Sequence, residues 1–144
     1  MQRLARVKAD AAATPGAYVL AADTVVACGR RILPKAETEA QARSCLALLS
    51  GRRHRVLTAV VLVAPDGRRA ERLAESVVGF ARLTEAQIRA YLDSGEWRGK
   101  AGGYAIQGRA AAHIRFLSGS YSNVVGLPLF ETASLLRGLG YLEP

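Results

Sequence analysis

The chain has 144 residues, half of them hydrophobic, and a formal net charge of +8. One domain with an ordinary core fits that length, and no apolar run reaches the roughly eighteen residues that a membrane-spanning helix needs. The basic N-terminus lacks the apolar stretch of a signal peptide, so the expected compartment is the cytoplasm, and the positive balance favours polyanionic partners, nucleic acid or small phosphorylated ligands.

Residues 2–13 place Leu4, Val7 and Ala11 at helical spacing among alanines, and Thr14-Pro15-Gly16 ends the predicted helix. Tyr18 to Cys28 is a nearly continuous apolar run interrupted by Asp23 and Thr24, the pattern of a buried strand. Gly29-Arg-Arg predicts a turn, and Ile32-Leu33 a short extension. A second helix is predicted over residues 37–49, with Thr38 and Gln41 spaced as a capping box and Ser50-Gly51 as its stop. Arg55 to Ala64 reads as a strand, Pro65-Asp-Gly-Arg as a tight turn, and residues 70–82 as a returning strand weakened by Gly79. Thr84 caps a helix that runs to about Asp93. Residues 110–117 alternate through Ala112, Ile114 and Phe116, which predicts a strand, and Pro128 opens a last helix ended by Gly138. The elements together predict a mixed α/β fold, a mixed sheet flanked by helices, with any site at strand ends and in loops.

Several residues carry chemistry. Asp23 stands in an apolar strand, where a carboxylate costs free energy unless it is paired or bound to a cation, and Thr24 adds a hydroxyl. A polar pair bonded to a nearby turn would also account for them. Lys35 follows that strand and would return toward Asp23 if the chain reverses at Gly29; a carboxylate for a metal and a lysine for phosphate suit phosphoanhydride cleavage. An exposed lysine ahead of a helix is the simpler account of Lys35. The segment Lys100-Ala-Gly-Gly-Tyr-Ala-Ile-Gln-Gly108 combines a cation, a side-chain amide at Gln107 and three glycines, which suits either a ligand loop or a tight connection.

Other chemistries find little support. Cys28 and Cys45 lie in apolar stretches and read as buried free thiols. His54 and His113 have no metal-ligand spacing and read as structural or exposed. There is no Gly-x-Ser-x-Gly elbow and no Walker loop, and the arginines are dispersed without interleaved aromatics, which argues against a nucleic-acid surface.

Four segments occur in order: Ala22-Asp23-Thr24-Val25-Val26; Leu49-Ser50-Gly51-Arg52-Arg53-His54-Arg55-Val56; the Lys100 to Gly108 segment; and Gly119-Ser-Tyr-Ser-Asn-Val-Val-Gly-Leu-Pro-Leu-Phe-Glu-Thr132. Together they resemble the Maf family of nucleoside triphosphate pyrophosphatases, over nearly the whole chain. The resemblance implies a two-lobed α/β fold of the inosine-triphosphatase type with a central cleft, as a single domain over residues 1–144. It implies hydrolysis of a nucleoside triphosphate, here dTTP or UTP, to monophosphate and pyrophosphate with a divalent cation, Mg2+ or Mn2+. Asp23 matches the catalytic and metal-binding aspartate. Thr24 and Gln107 match positions linked to substrate choice, and Lys8, Lys35 and Lys100 match substrate-binding lysines. The implied partner is the nucleotide, with a homodimer as the assembly to consider and neither nucleic acid nor membrane.

Two departures from the family pattern stand out. Family members begin with a strand and a Ser-x-Ser-Pro-Arg-Arg phosphate loop, and this sequence starts at the helix that follows, so the expectation is either a start assigned too late or an N-terminal truncation. A catalytically impaired nucleotide-binding or interaction module is the alternative function on that account. Leu33-Pro-Lys-Ala also stands where the family has Gly-Lys-Pro or Glu-Lys-Pro.

Overall fold

The computed structural model describes residues 1–142. In chain order these form α1 (Gln2–Ala12), β1 (Val19–Cys28), β2 (Arg31–Leu33), α2 (Glu39–Leu49), β3 (Arg53–Val63), β4 (Arg69–Phe80), α3 (Glu85–Ser94), a 3-10 helix (Arg109–His113), β5 (Ile114–Ser118), α4 (Tyr121–Val125) and α5 (Leu129–Gly138). The strands make one sheet in the order β2-β1-β3-β4-β5. Its outer pairings, β1 with β2 and β4 with β5, are antiparallel. No helix among the described residues is long and apolar enough to cross a membrane.

Local chemistry explains most of the boundaries. Gly29, at φ 59°, reverses the chain so that Val26 pairs with Leu33 and Cys28 with Arg31. Between β3 and β4, the Asp66 carboxylate accepts from the Arg68 backbone N–H at 3.0 Å, and Ala64 N–H donates to the Arg68 carbonyl at 2.8 Å. Both Thr38 with Gln41 and Thr84 with Gln87 form reciprocal capping boxes at the starts of α2 and α3. Gly79 marks a register shift between β4 and β5, and a Cβ there would lie 3.1 Å from the Phe116 Cβ. The glycine that weakens the strand pattern is therefore a bulge that lets two strands approach.

One expectation is corrected. Residues 109–113 are a 3-10 helix rather than the first half of a strand, so β5 starts at Ile114. Within the Gly119 to Leu129 run, Tyr121–Val125 forms one short helical turn.

The described chain divides into two compact units. The first comprises residues 1–24, 57–75 and those from 121 onward. Here β3 is buried on both faces: Ala59 and Val61 pack with Ala5 and Ala9 of α1, while Val60 and Leu62 pack with Leu135 of α5. That two-sided burial is why the sequence of β3 is continuously apolar rather than alternating. The second unit comprises residues 25–56 and 76–120. Its buried side chains include Leu46, Leu49, His54, Val56, Val78, Phe80, Trp97 and Tyr104. On its surface α2 and α3 are joined by the ion pairs Arg43–Glu85 and Arg89–Glu39.

Candidate active site

In the first unit, Asp23 lies on β1 and is 5 % exposed. The side chain that accompanies it is Lys8. Its ammonium donates to Asp23 Oδ1 at 3.1 Å and to the Ala22 carbonyl at 3.2 Å. Ala5 and Ala9, fully buried, let α1 lie close on the sheet, and Lys8 beside Ala9 is thereby brought to the strand. A buried carboxylate without a partner would be costly, and the half-exposed lysine provides one while keeping contact with water.

Thr24 follows on the same strand, partly buried. Its hydroxyl lies 2.9 Å from that of the fully buried Thr58, and Thr58 donates to the Asn123 carbonyl at 3.3 Å. A hydroxyl has a single hydrogen. Since a carbonyl can only accept, Thr58 is the donor to Asn123 and Thr24 the donor to Thr58. The lone pairs of Thr24 therefore remain able to accept. Gly126, at φ 128°, passes close by, with an ideal Cβ 3.9 Å from Thr24 Oγ1.

In the second unit, the segments carrying Lys35 and Lys100 are zipped together. Lys35 and Ala101 form an antiparallel bridge. Ala36 N–H donates to the Lys100 carbonyl at 3.0 Å, Gly99 N–H to the Ala36 carbonyl at 2.8 Å, and Gly102 N–H to the Pro34 carbonyl at 3.1 Å. Both lysines are exposed on adjoining chain segments. Gly102 and Gly103 adopt φ 72° and 77°, and a Cβ at Gly102 would meet the Val26 side chain at 3.0 Å. Here positive φ and close packing both demand glycine.

Gln107 is exposed at the end of this segment. The next residues are pinned by Glu96, whose Oε1 accepts from the Arg109 backbone N–H at 2.9 Å and whose Oε2 pairs with Arg109 Nε at 3.2 Å. Gly108 leaves room for that carboxylate, since a Cβ there would come within 1.9 Å of Glu96 Oε1. In the middle of the segment, Ala105 N–H donates to the Tyr91 hydroxyl at 3.1 Å. Tyr104 is buried, and its hydroxyl lies 2.6 Å from His54 Nε2. Burial lowers His54 to about 4, so its ring is neutral at pH 7, and burial raises the Tyr104 phenol.

Of the expected site residues, Lys8, Asp23 and Thr24 come together in the first unit, and Lys35 and Lys100 lie on adjoining segments of the second. His54 and Thr58 stand outside that expected set. Both sit on the alternate inward positions His54, Val56 and Thr58 of β3, so a period of two was the available signal. Among the described residues, no group of three or more His, Cys, Asp or Glu could hold a metal ion. A structural metal of the all-protein kind therefore finds no donor set in these residues, and Asp23 could serve as a single carboxylate ligand.

A family profile described as Maf-like protein matches residues 1–139. The chain is 68 % identical to a dTTP/UTP pyrophosphatase from Granulibacter bethesdensis, over 97 % of this chain and 70 % of that protein. It is 65 % identical to a dTTP/UTP pyrophosphatase from Paramagnetospirillum magneticum, over 97 % of this chain and 75 % of that one. It is 63 % identical to another from Caulobacter vibrioides, over 96 % of this chain and 72 % of that one.

Proposed function

The chain belongs to the Maf-like protein family, and from that premise we propose that it hydrolyses dTTP and UTP to the nucleoside monophosphate and pyrophosphate. The observation that carries the proposal is the buried Asp23 carboxylate held by Lys8, in a chain closely similar to proteins named for this reaction. Asp23 orients an attacking water and accepts its proton. Lys8 fixes the carboxylate through Oδ1, which leaves its other oxygen for the water or a cation. Lys35 and Lys100 neutralise phosphate charge as compact point charges. Thr24 and Gln107 contribute to choice of the base.

Asp23 also fits a divalent cation such as Mg2+ or Mn2+. A small hard cation of this kind needs only one or two protein carboxylates when phosphate oxygens and waters complete its shell. When bound, the cation supplies charge neutralisation on the triphosphate and a more acidic water.

The test is pyrophosphate release from dTTP and UTP with Mg2+, comparing the parent chain with Asp23→Asn. Release by the parent and a loss of at least about a thousandfold in the variant is the expected result. Undiminished release by Asp23→Asn rules out the role of Asp23. Tight nucleotide binding without release by the parent favours a binding module instead.

A further inference from the structure

His54 is a buried titratable group that the reaction above does not use. It is 2 % exposed, and its polar ring is packed among aromatics. It stacks on Phe80 at 5.7 Å between ring centroids and meets Tyr104 edge-on at 5.4 Å, while Phe80 and Tyr104 meet edge-on at 5.0 Å. Packing alone would be served by phenylalanine at this position. The histidine brings a burden instead, because Nδ1 is buried with no hydrogen-bond partner. What the imidazole adds is the Nε2 contact to the Tyr104 hydroxyl at 2.6 Å.

Tyr104 lies inside the segment that carries Lys100 and Gln107. That segment contains Gly102, Gly103 and Gly108, which give a backbone much conformational freedom to lose. Its anchored side chains are few. Tyr104 and Ile106 are buried, and Tyr91 holds the Ala105 N–H from outside. A pinned phenol in the middle of a glycine-rich run fixes both flanks.

We propose that His54 is a positioning residue for nucleotide binding, which through the Tyr104 hydroxyl holds residues 100–108 in the shape that presents Lys100 and Gln107. The proposal rests on the roles given to those two residues above. It assigns His54 no contact with substrate. Its effect falls on binding rather than on the chemical step.

The experiment is a double-mutant cycle on the full chain with His54→Phe, Tyr104→Phe and the pair, read as kcat and KM for UTP and as melting temperature. Tyr104→Phe keeps the ring and removes only the hydroxyl. Each single variant should raise KM about tenfold with kcat within about twofold, and the double variant should be no worse than either single one. His54→Gln, which keeps a side-chain hydrogen-bonding group, should recover part of the loss. Multiplicative losses in the double variant would mean that His54 does not act through Tyr104. Unchanged KM, or a loss confined to kcat or to melting temperature, also overturns the proposal. If the parent chain proves not to turn over UTP, the function assigned above fails separately, and UTP affinity by calorimetry across the same four proteins then decides the positioning role.

Discussion

Thr58 has one hydroxyl hydrogen, and the Asn123 carbonyl takes it. That leaves Thr24 as donor to Thr58, with its own lone pairs able to accept. The uracil and thymine rings carry an N–H at N3, whereas cytosine carries a bare nitrogen there. If Thr24 reads the base as proposed, an acceptor there favours the first two. Thr58→Val should free the Thr24 hydroxyl and shrink the preference for UTP over CTP by about tenfold, measured as the ratio of kcat/KM values. An unchanged ratio excludes this polarity argument. Lys8 permits a second test at the same scale. Lys8→Met keeps the apolar stem and deletes the charge beside Asp23. Because Asp23 stays buried without its partner while the lysine was half exposed, the stability loss should be about 3 kcal/mol by thermal melting. Turnover should fall by about tenfold or more, since the carboxylate loses the group that orients it. Full activity in this variant would remove Lys8 from the mechanism.

At the scale of elements, the Lys100 to Gly108 segment works through backbone that only glycine can adopt. Gly102→Ala should cost about 2–3 kcal/mol, combining the left-handed conformation with the Val26 contact. Gly67→Ala shares the positive φ but meets nothing within 4 Å, so it should cost only about 1 kcal/mol. Denaturant midpoints of the two variants isolate the packing contribution, and equal losses would show that there is none. Elements with a local signature were legible in the sequence: the capping box at Thr38, the turns at Gly29 and Asp66, and the apolar run of β3. Residues 109–113 were not. Their alanines fit strand alternation and a 3-10 turn equally, and the Glu96 carboxylate that receives Arg109 is thirteen residues away. The active-site candidates divide in the same way. Asp23 announced itself as a charge in an apolar strand, but its partnership with Lys8, fifteen residues earlier, depends on how α1 lies on the sheet. His54 looked unremarkable because the residue that explains it, Tyr104, is fifty positions distant.

For the molecule as a whole, a net charge of +8 grows as carboxylates take up protons, so acid should destabilise the fold by more than one route. His54 governs the first. Its folded value of about 4 lies below its ordinary 6.5, because burial disfavours the charged ring. Between those values the unfolded chain binds a proton that the folded chain refuses, so stability rises with pH from about 4 to 6.5 and is level above. The full span is worth about 3 kcal/mol. The second route opens at lower pH. Asp66 is held below the usual range by the Arg68 backbone N–H, and Glu71 by the Arg6 guanidinium. Their contribution is present at neutral pH and is lost as pH falls through their depressed values. The two routes separate experimentally because the carboxylate pairs lie at the surface and the imidazole does not. Urea midpoints measured from pH 8 to pH 3 should fall in two steps, of which added salt weakens only the lower. His54→Phe should flatten the upper step and leave the lower one in place. A parent chain whose midpoint stays constant from pH 6.5 down to 4 would contradict the burial of a neutral imidazole at this position.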